Sequence, residues 1–225
     1  MADSTYQIVR GADNSDLLTL QELKLMLGGV PITDNSQDAS LSLMISMFSE
    51  MCATYCHRFV GYGQPPTFGK VEMIETWREV MNGRVYLGHW PVKSTDIVNV
   101  NAGGTDLTTD QFEIEEWSGK VSNLATGAPM SGPWNTPVVV HYSGGYVLPD
   151  DAPLPLKHAV VMLIREERIR MMIAQSGTIR QLTHKEARIT FFDPTALLRA
   201  IAAGLKTPTM TAVENILDQY IRIEV

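Results

Sequence analysis

The chain has 225 residues, 44% hydrophobic and 19% charged, with a formal net charge of −7. That is ample to bury a core and suits one large domain, or one domain with an inserted subdomain. The acidic balance excludes a protein built to grip nucleic acid nonspecifically, because that grip comes from Lys and Arg displacing phosphate counterions. No apolar run reaches the roughly 18–20 residues that span a bilayer, so no membrane partner is expected.

Residues 1–16, MADSTYQIVRGADNSD, read as a flexible N-terminal arm: apolar residues are few and Asp, Ser and Asn recur. They lack the charged-then-apolar pattern of a secretory signal, so synthesis in a cytoplasm without export is expected. A first helix is expected over 17–27. Thr19 and Glu22 stand at capping-box spacing, and Gly28-Gly29 supplies the left-handed conformation that ends a helix. A second helix runs over about 37–59. Its Leu41, Met44, Ile45, Phe48, Cys52, Tyr55, Cys56 and Phe59 recur at three- and four-residue steps, as a core-facing stripe requires. Cys52 and Cys56 share one helix face and are followed by His57, too few ligands for a metal site. Two buried, reduced thiols are expected. Gly61, Gly63, Pro65 and Pro66 then break the chain.

A β section follows. FGKVEMIETWREVMNGR (67–83) fits either a strand and turn or a short helix. The strand is favoured because Asn82-Gly83 makes a good turn into RVYL. Short strands are expected at 84–87, 96–101, 112–116 and 138–142, with a hairpin turn at Ala102-Gly103-Gly104-Thr105 and a second turn at Trp117-Ser118-Gly119-Lys120. The Pro-rich stretch PDDAPLP leads into a third main helix over 156–174, where Arg165, Glu166, Glu167, Arg168 and Arg170 crowd the middle. Mixed signs at that spacing fit a solvated face with i,i+3 and i,i+4 pairs, or a subunit surface. Residues 176–190 read as a loop. Asp193-Pro194 opens a short helix over 195–203, and an amphipathic segment over 211–223 carries Val213, Ile216, Leu217, Tyr220 and Ile221. That last segment has no evident place in the core and is a candidate for docking on another chain.

No phosphate-cradling loop, dinucleotide fingerprint or nucleophile elbow occurs, so no catalytic residue and no cofactor is assigned. The five histidines are scattered. Asp110, Glu113, Glu115 and Glu116 form an acidic strip. It fits a charged strand edge that discourages aggregation, or, as the enzymatic alternative, a metal-dependent hydrolase.

Taken together, LLTLQELKLMLG, LSLMISMFSEMCATYCHRFVG, the run PVKSTDIVNV, the turn EEWSGKV and the passage VHYSGGYVLPDDAPLPLKHAV resemble, in order and spacing, the head–tail connector (adaptor) family of siphophage-type tailed phages. The resemblance covers residues 17–170. It implies a virion structural protein of the neck, made in the host cytoplasm. Family members form rings, usually of twelve copies, beneath the portal, and join it to the stopper or tail. DNA passes through the lumen during ejection without specific binding. The expected architecture is α+β: a helical domain from 17–66 and 149–204, a small antiparallel β subdomain inserted at 67–148, and a C-terminal docking segment at 205–225. Arg165, Arg168, Arg170, Leu205, Ile216, Leu217, Tyr220, Ile221 and Ile223 are the candidate subunit or portal contacts. Another neck part, a stopper or tail terminator, is the alternative within the virion.

Overall fold

Two apolar cores share the chain, one built by helices and one by strands. The structure is a computed structural model that describes residues 4–28, 33–58, 64–80, 83–124, 133–175, 181–184, 187–190 and 207–221. The fold is α+β. Its elements in order are β1 (Ser4–Arg10), α1 (Leu20–Leu27), α2 (Asp38–Tyr55), β2 (Val71–Trp77), β3 (Arg84–Tyr86), β4 (Ile97–Ala102), β5 (Thr105–Asp106), β6 (Phe112–Glu115), β7 (Lys120–Asn123), β8 (Val138–Gly144), α3 (Leu154–Gln175), β9 (Gln181–His184), β10 (Ala187–Thr190) and α4 (Pro208–Leu217).

The capping box at Thr19 is formed. Thr19 Oγ1 accepts from Glu22 N–H at 3.1 Å, and Glu22 Oε2 accepts from Thr19 N–H at 2.7 Å. Gly28 closes the helix at φ 69°. The Glu22 carboxylate also takes Lys157 Nζ of α3 at 2.5 Å. Burial works to raise the Glu22 pKa, but the bonds from Lys157 and Thr19 outweigh it and hold it below the usual value. A local cap thereby becomes a tie between helices. Lys24 makes a second tie: its buried ammonium lies 2.5 Å from Asp38 at the start of α2.

Of the expected stripe, Leu41, Met44, Ile45, Phe48, Cys52 and Cys56 are buried, the two cysteines free; Tyr55 is half-buried, and Phe59 lies outside the described residues. Its end is unusual. His57 sits at φ 54°, a left-handed position normally held by Gly or Asn. His57 N–H donates to Thr54 O at 3.0 Å and Arg58 N–H to Ala53 O at 2.9 Å, the two bonds of a Schellman motif. That reversal turns Arg58 inward.

The ambiguous 67–83 stretch forms strand β2, which alternates buried and half-buried residues along its length. β8 shows the same alternation and pairs with it antiparallel, from Val71 opposite Gly144 to Trp77 opposite Val138. The main sheet runs β1-β2-β8-β4-β5, and a smaller one runs β3-β7-β6. Met73, Trp77, Val85, Leu87, Val100, Val121, Val138, Val140 and Tyr142 fill the β core. Leu17, Leu18, Leu23, Ile45, Phe48, Leu156, Val160 and Ile164 fill the helical one.

Two segments differ from the sequence reading. Within the expected arm, Ser4–Arg10 is a strand, antiparallel to β2 from Ser4 opposite Trp77 to Ile8 opposite Met73. None of its residues is buried, so main-chain pairing holds it, which a pattern of apolar residues cannot reveal. Within the expected 176–190 loop, β9 and β10 form a hairpin, His184 facing Ala187. The short helix expected over 195–203 lies outside the described residues.

Candidate interaction surfaces

Arg58 joins the two cores. It is 1% exposed, and its guanidinium lies 3.5 Å from the Trp90 ring centroid and 5.1 Å from that of Phe68. One terminal nitrogen donates to Trp90 O at 2.6 Å, the other to Tyr220 O at 3.4 Å. Phe68 and Tyr220 meet edge to face with centroids 6.4 Å apart. One side chain thus holds the end of α2, the approach to β2, the loop before β4 and the turn after α4. A planar cation with five donors suits this stacking and multiple bonding; an ammonium would not.

Beside this junction runs a buried polar chain. Glu75 accepts from Tyr142 Oη at 2.5 Å and from Gly88 N–H at 2.8 Å. Tyr142 Oη accepts from His89 N–H at 3.1 Å, and His89 Nε2 donates to Gly69 O at 2.8 Å. Burial pushes the His89 pKa down to about 4, so its ring is neutral. A Cβ on Gly144 would stand 2.1 Å from His89 O, which reserves that position for glycine. This chain lies inside the β section and joins strands. The described clefts, of about 250 and 210 Å³, flank residues 11–14 instead.

The residues expected at contacts are distributed differently. Arg165 donates to Met26 O at 3.0 Å and Arg168 to Gln37 Oε1 at 3.2 Å. Arg170 pairs with Glu166 at 2.6 Å and reaches Glu167 at 3.8 Å, as the i,i+4 and i,i+3 spacings anticipate. Leu217 is 3% exposed and belongs to the chain's own helical core; Ile216, Tyr220 and Ile221 are half-buried against it. That corrects the reading of α4 as an apolar segment without a place. Its cap shows why it stays: Thr207 Oγ1 accepts from Met210 N–H at 3.2 Å and donates to Glu166 at 3.1 Å. At its other end, Tyr55 Oη donates to Asp218 at 2.9 Å. That bond pushes the Tyr55 pKa up to about 12. Leu205 and Ile223 lie outside the described residues.

The acidic strip does not converge. Glu115 accepts from Ser118 Oγ at 2.8 Å and pairs with Lys120 at 3.0 Å, and the Ser118 bond leads in lowering its pKa. Glu116 Oε1 accepts from Ser94 N–H at 2.9 Å. Glu113 stands opposite Ser122 on β7. Among the described residues no group of three His, Cys, Asp or Glu is placed to hold a metal ion. Burial pushes the Cys52 and Cys56 thiols up to about 12, far from the range of reactive thiolates.

The sequence reading missed Arg58, the Glu75–Tyr142–His89 chain and the exposed Trp117, which it took only as a turn residue. A lone Arg after a helix carries no local signal of its partners: Trp90, which offers ring and carbonyl, lies 32 residues away and the Tyr220 carbonyl 162.

The fold has known counterparts. A chain from the neck of an empty gene transfer agent particle, computed with C6 symmetry, superposes with a TM-score of 0.53 at 12% identity, over 98% of this chain and 97% of the other. This likeness is one of fold. A chain from the virion of a native gene transfer agent particle aligns over the same shares at 13% identity with a TM-score of 0.49. No family model matches the sequence, and no curated protein does.

Proposed function

We propose that this chain is a structural subunit of the neck of a tailed-phage-like particle, a head–tail connector whose copies form a ring between portal and tail. The observation that carries this reading is the end-to-end likeness to a neck chain, which spans both β and helical sections. The sequence resemblance to the adaptor family points the same way. A ring of twelve is compatible with the C6 symmetry with which that neighbour's neck was computed, because twelve-fold symmetry contains six-fold symmetry. In this reading the helices form the ring body, with the β section inserted between α2 and α3, and the 205–225 segment meets the portal through the side of α4 that the helical core leaves exposed. The net charge of −7 suits a lumen that passes DNA without holding it. The work is structural, with no catalytic step.

The test is the mass of the purified full chain, alone and with its portal, followed by negative-stain imaging. Rings, or a monomer that becomes a ring on the portal, support the connector. A ring that binds only a tail component favours a stopper or terminator. A monomer indifferent to both overturns the reading.

A further inference from the structure

Trp117 is the most exposed aromatic side chain among the described residues of the β section. It sits in the turn between β6 and β7 and is 73% exposed. The turn is held firmly: Ser118 N–H and Gly119 N–H both donate to Glu115 O, at 3.2 and 2.9 Å, and Gly119 takes φ 65°. A rigid, solvent-facing Trp loses little entropy on docking, and Trp is enriched among residues that dominate interface energies. Glu116 beside it is exposed and, among the described residues, meets no cation.

A surface of opposite character lies on the second half of α3. Arg165, Ile169 and Met172 recur at helical spacing and are exposed, the last two at 49% and 67%. Arg168 lies on the same side. Each arginine makes one hydrogen bond to a neutral acceptor, and among the described residues neither meets a carboxylate. In a chain of net charge −7, two arginines that meet no acidic partner among the described residues, beside exposed apolar side chains, form a surface suited to an acidic, aromatic partner. Met and Ile offer an adaptable bed for an indole.

The two surfaces belong to opposite ends of α2. Arg168 is bonded to Gln37, just before the helix begins, whereas the Trp117 turn is tied through Val92 N–H to Glu116 O, at 2.8 Å, to the loop that Arg58 holds at the helix's other end. Eighteen helical residues separate those ends by about 27 Å. Patches tied to opposite ends of that helix are placed to meet between copies rather than within one.

Resting on the ring reading above, we infer that the Glu116–Trp117 turn of one copy docks on the Arg165–Ile169–Met172 face of the next, with Glu116 against the Arg165/Arg168 pair. The contact is heterologous, head to tail, which is the geometry that closes rings.

The experiment measures assembly of the full chain, alone and on a portal ring, for the wild type, Trp117→Ala, Glu116→Arg, Arg165→Glu and the double variant Glu116→Arg/Arg165→Glu. Circular dichroism checks that each is folded. Each single variant is expected to weaken copy–copy association at least tenfold, and the charge swap to recover most of that loss. A merely structural role would leave the swap no better than the worse single change. Single variants that assemble like the wild type, or a double variant without recovery, overturn the inference while the ring stands. A wild type that assembles in neither setting overturns the ring reading and this contact together.

Discussion

Replacing Arg58 by Met tests whether one side chain couples the two cores. Methionine keeps much of the buried stem and removes the guanidinium, so the cavity term is small. Three losses remain. The charge-assisted bond to Trp90 O, 2.6 Å long, is of a kind worth about 1.5–3 kcal/mol. The stacking over Trp90, 3.5 Å from its centroid, adds about 0.5–2 kcal/mol. The longer bond to Tyr220 O adds less. Together these give about 3 kcal/mol, a shift of about 1–1.5 M in urea midpoint at an m-value of about 2–3 kcal/mol/M. The assay separates the cores, because all four tryptophans, Trp77, Trp90, Trp117 and Trp134, lie in the β section. Fluorescence therefore follows the strands, and circular dichroism at 222 nm follows the helices. Arg58→Met is expected to lower both midpoints and to pull the two curves apart. Coincident curves displaced by less than about 1 kcal/mol would refute the assignment of Arg58 as the junction.

Leu217→Ala removes a side chain from the helical core and should cost about 2–4 kcal/mol in urea unfolding; a change below 1 kcal/mol would mean that α4 does not pack as described. His57→Gly relieves a left-handed position at the end of α2 and should raise stability by about 0.5–1 kcal/mol, read as an increased midpoint; a decrease would show that the His57 side chain contributes more than its backbone costs. His89 titrates near 4 when folded against 6.5 when free, so below pH 6.5 the unfolded chain takes up a proton that the folded one refuses. Its contribution is present above pH 6.5 and is lost as pH falls toward 4. Between pH 7 and 5 the wild type should therefore lose about 2 kcal/mol more than His89→Gln, and equal losses would sink the claim.

Much of the local structure was legible in the residues. Thr19, Glu22 and Gly28 marked both ends of α1, because a cap and a left-handed glycine act within a few residues of themselves. The stripe on α2 and the paired glycines between β4 and β5 are likewise short-range signals, and they were placed correctly. What escaped depends on partners distant in the chain. β1 buries nothing and exists because β2 offers an open ladder of main-chain groups. α4 looked like a free apolar segment, yet Leu217 fits among helices contributed by residues far earlier in the chain.

For the candidate surfaces the division is similar. The i,i+4 pairing of Arg170 with Glu166 follows from helical spacing alone. That Arg165 and Arg168 spend their bonds on Met26 and Gln37, and so meet no described carboxylate, was decided by how α3 crosses α1 and the start of α2. By itself the sequence determined the ends of α1, the stripe of α2 and the β4–β5 turn, since capping, periodicity and turn chemistry are local. Only the tertiary structure decided which arginine is buried between aromatic rings, which apolar face is covered and which tryptophan is left facing water. Burial is a property of neighbours, and most of those neighbours come from elsewhere in the chain.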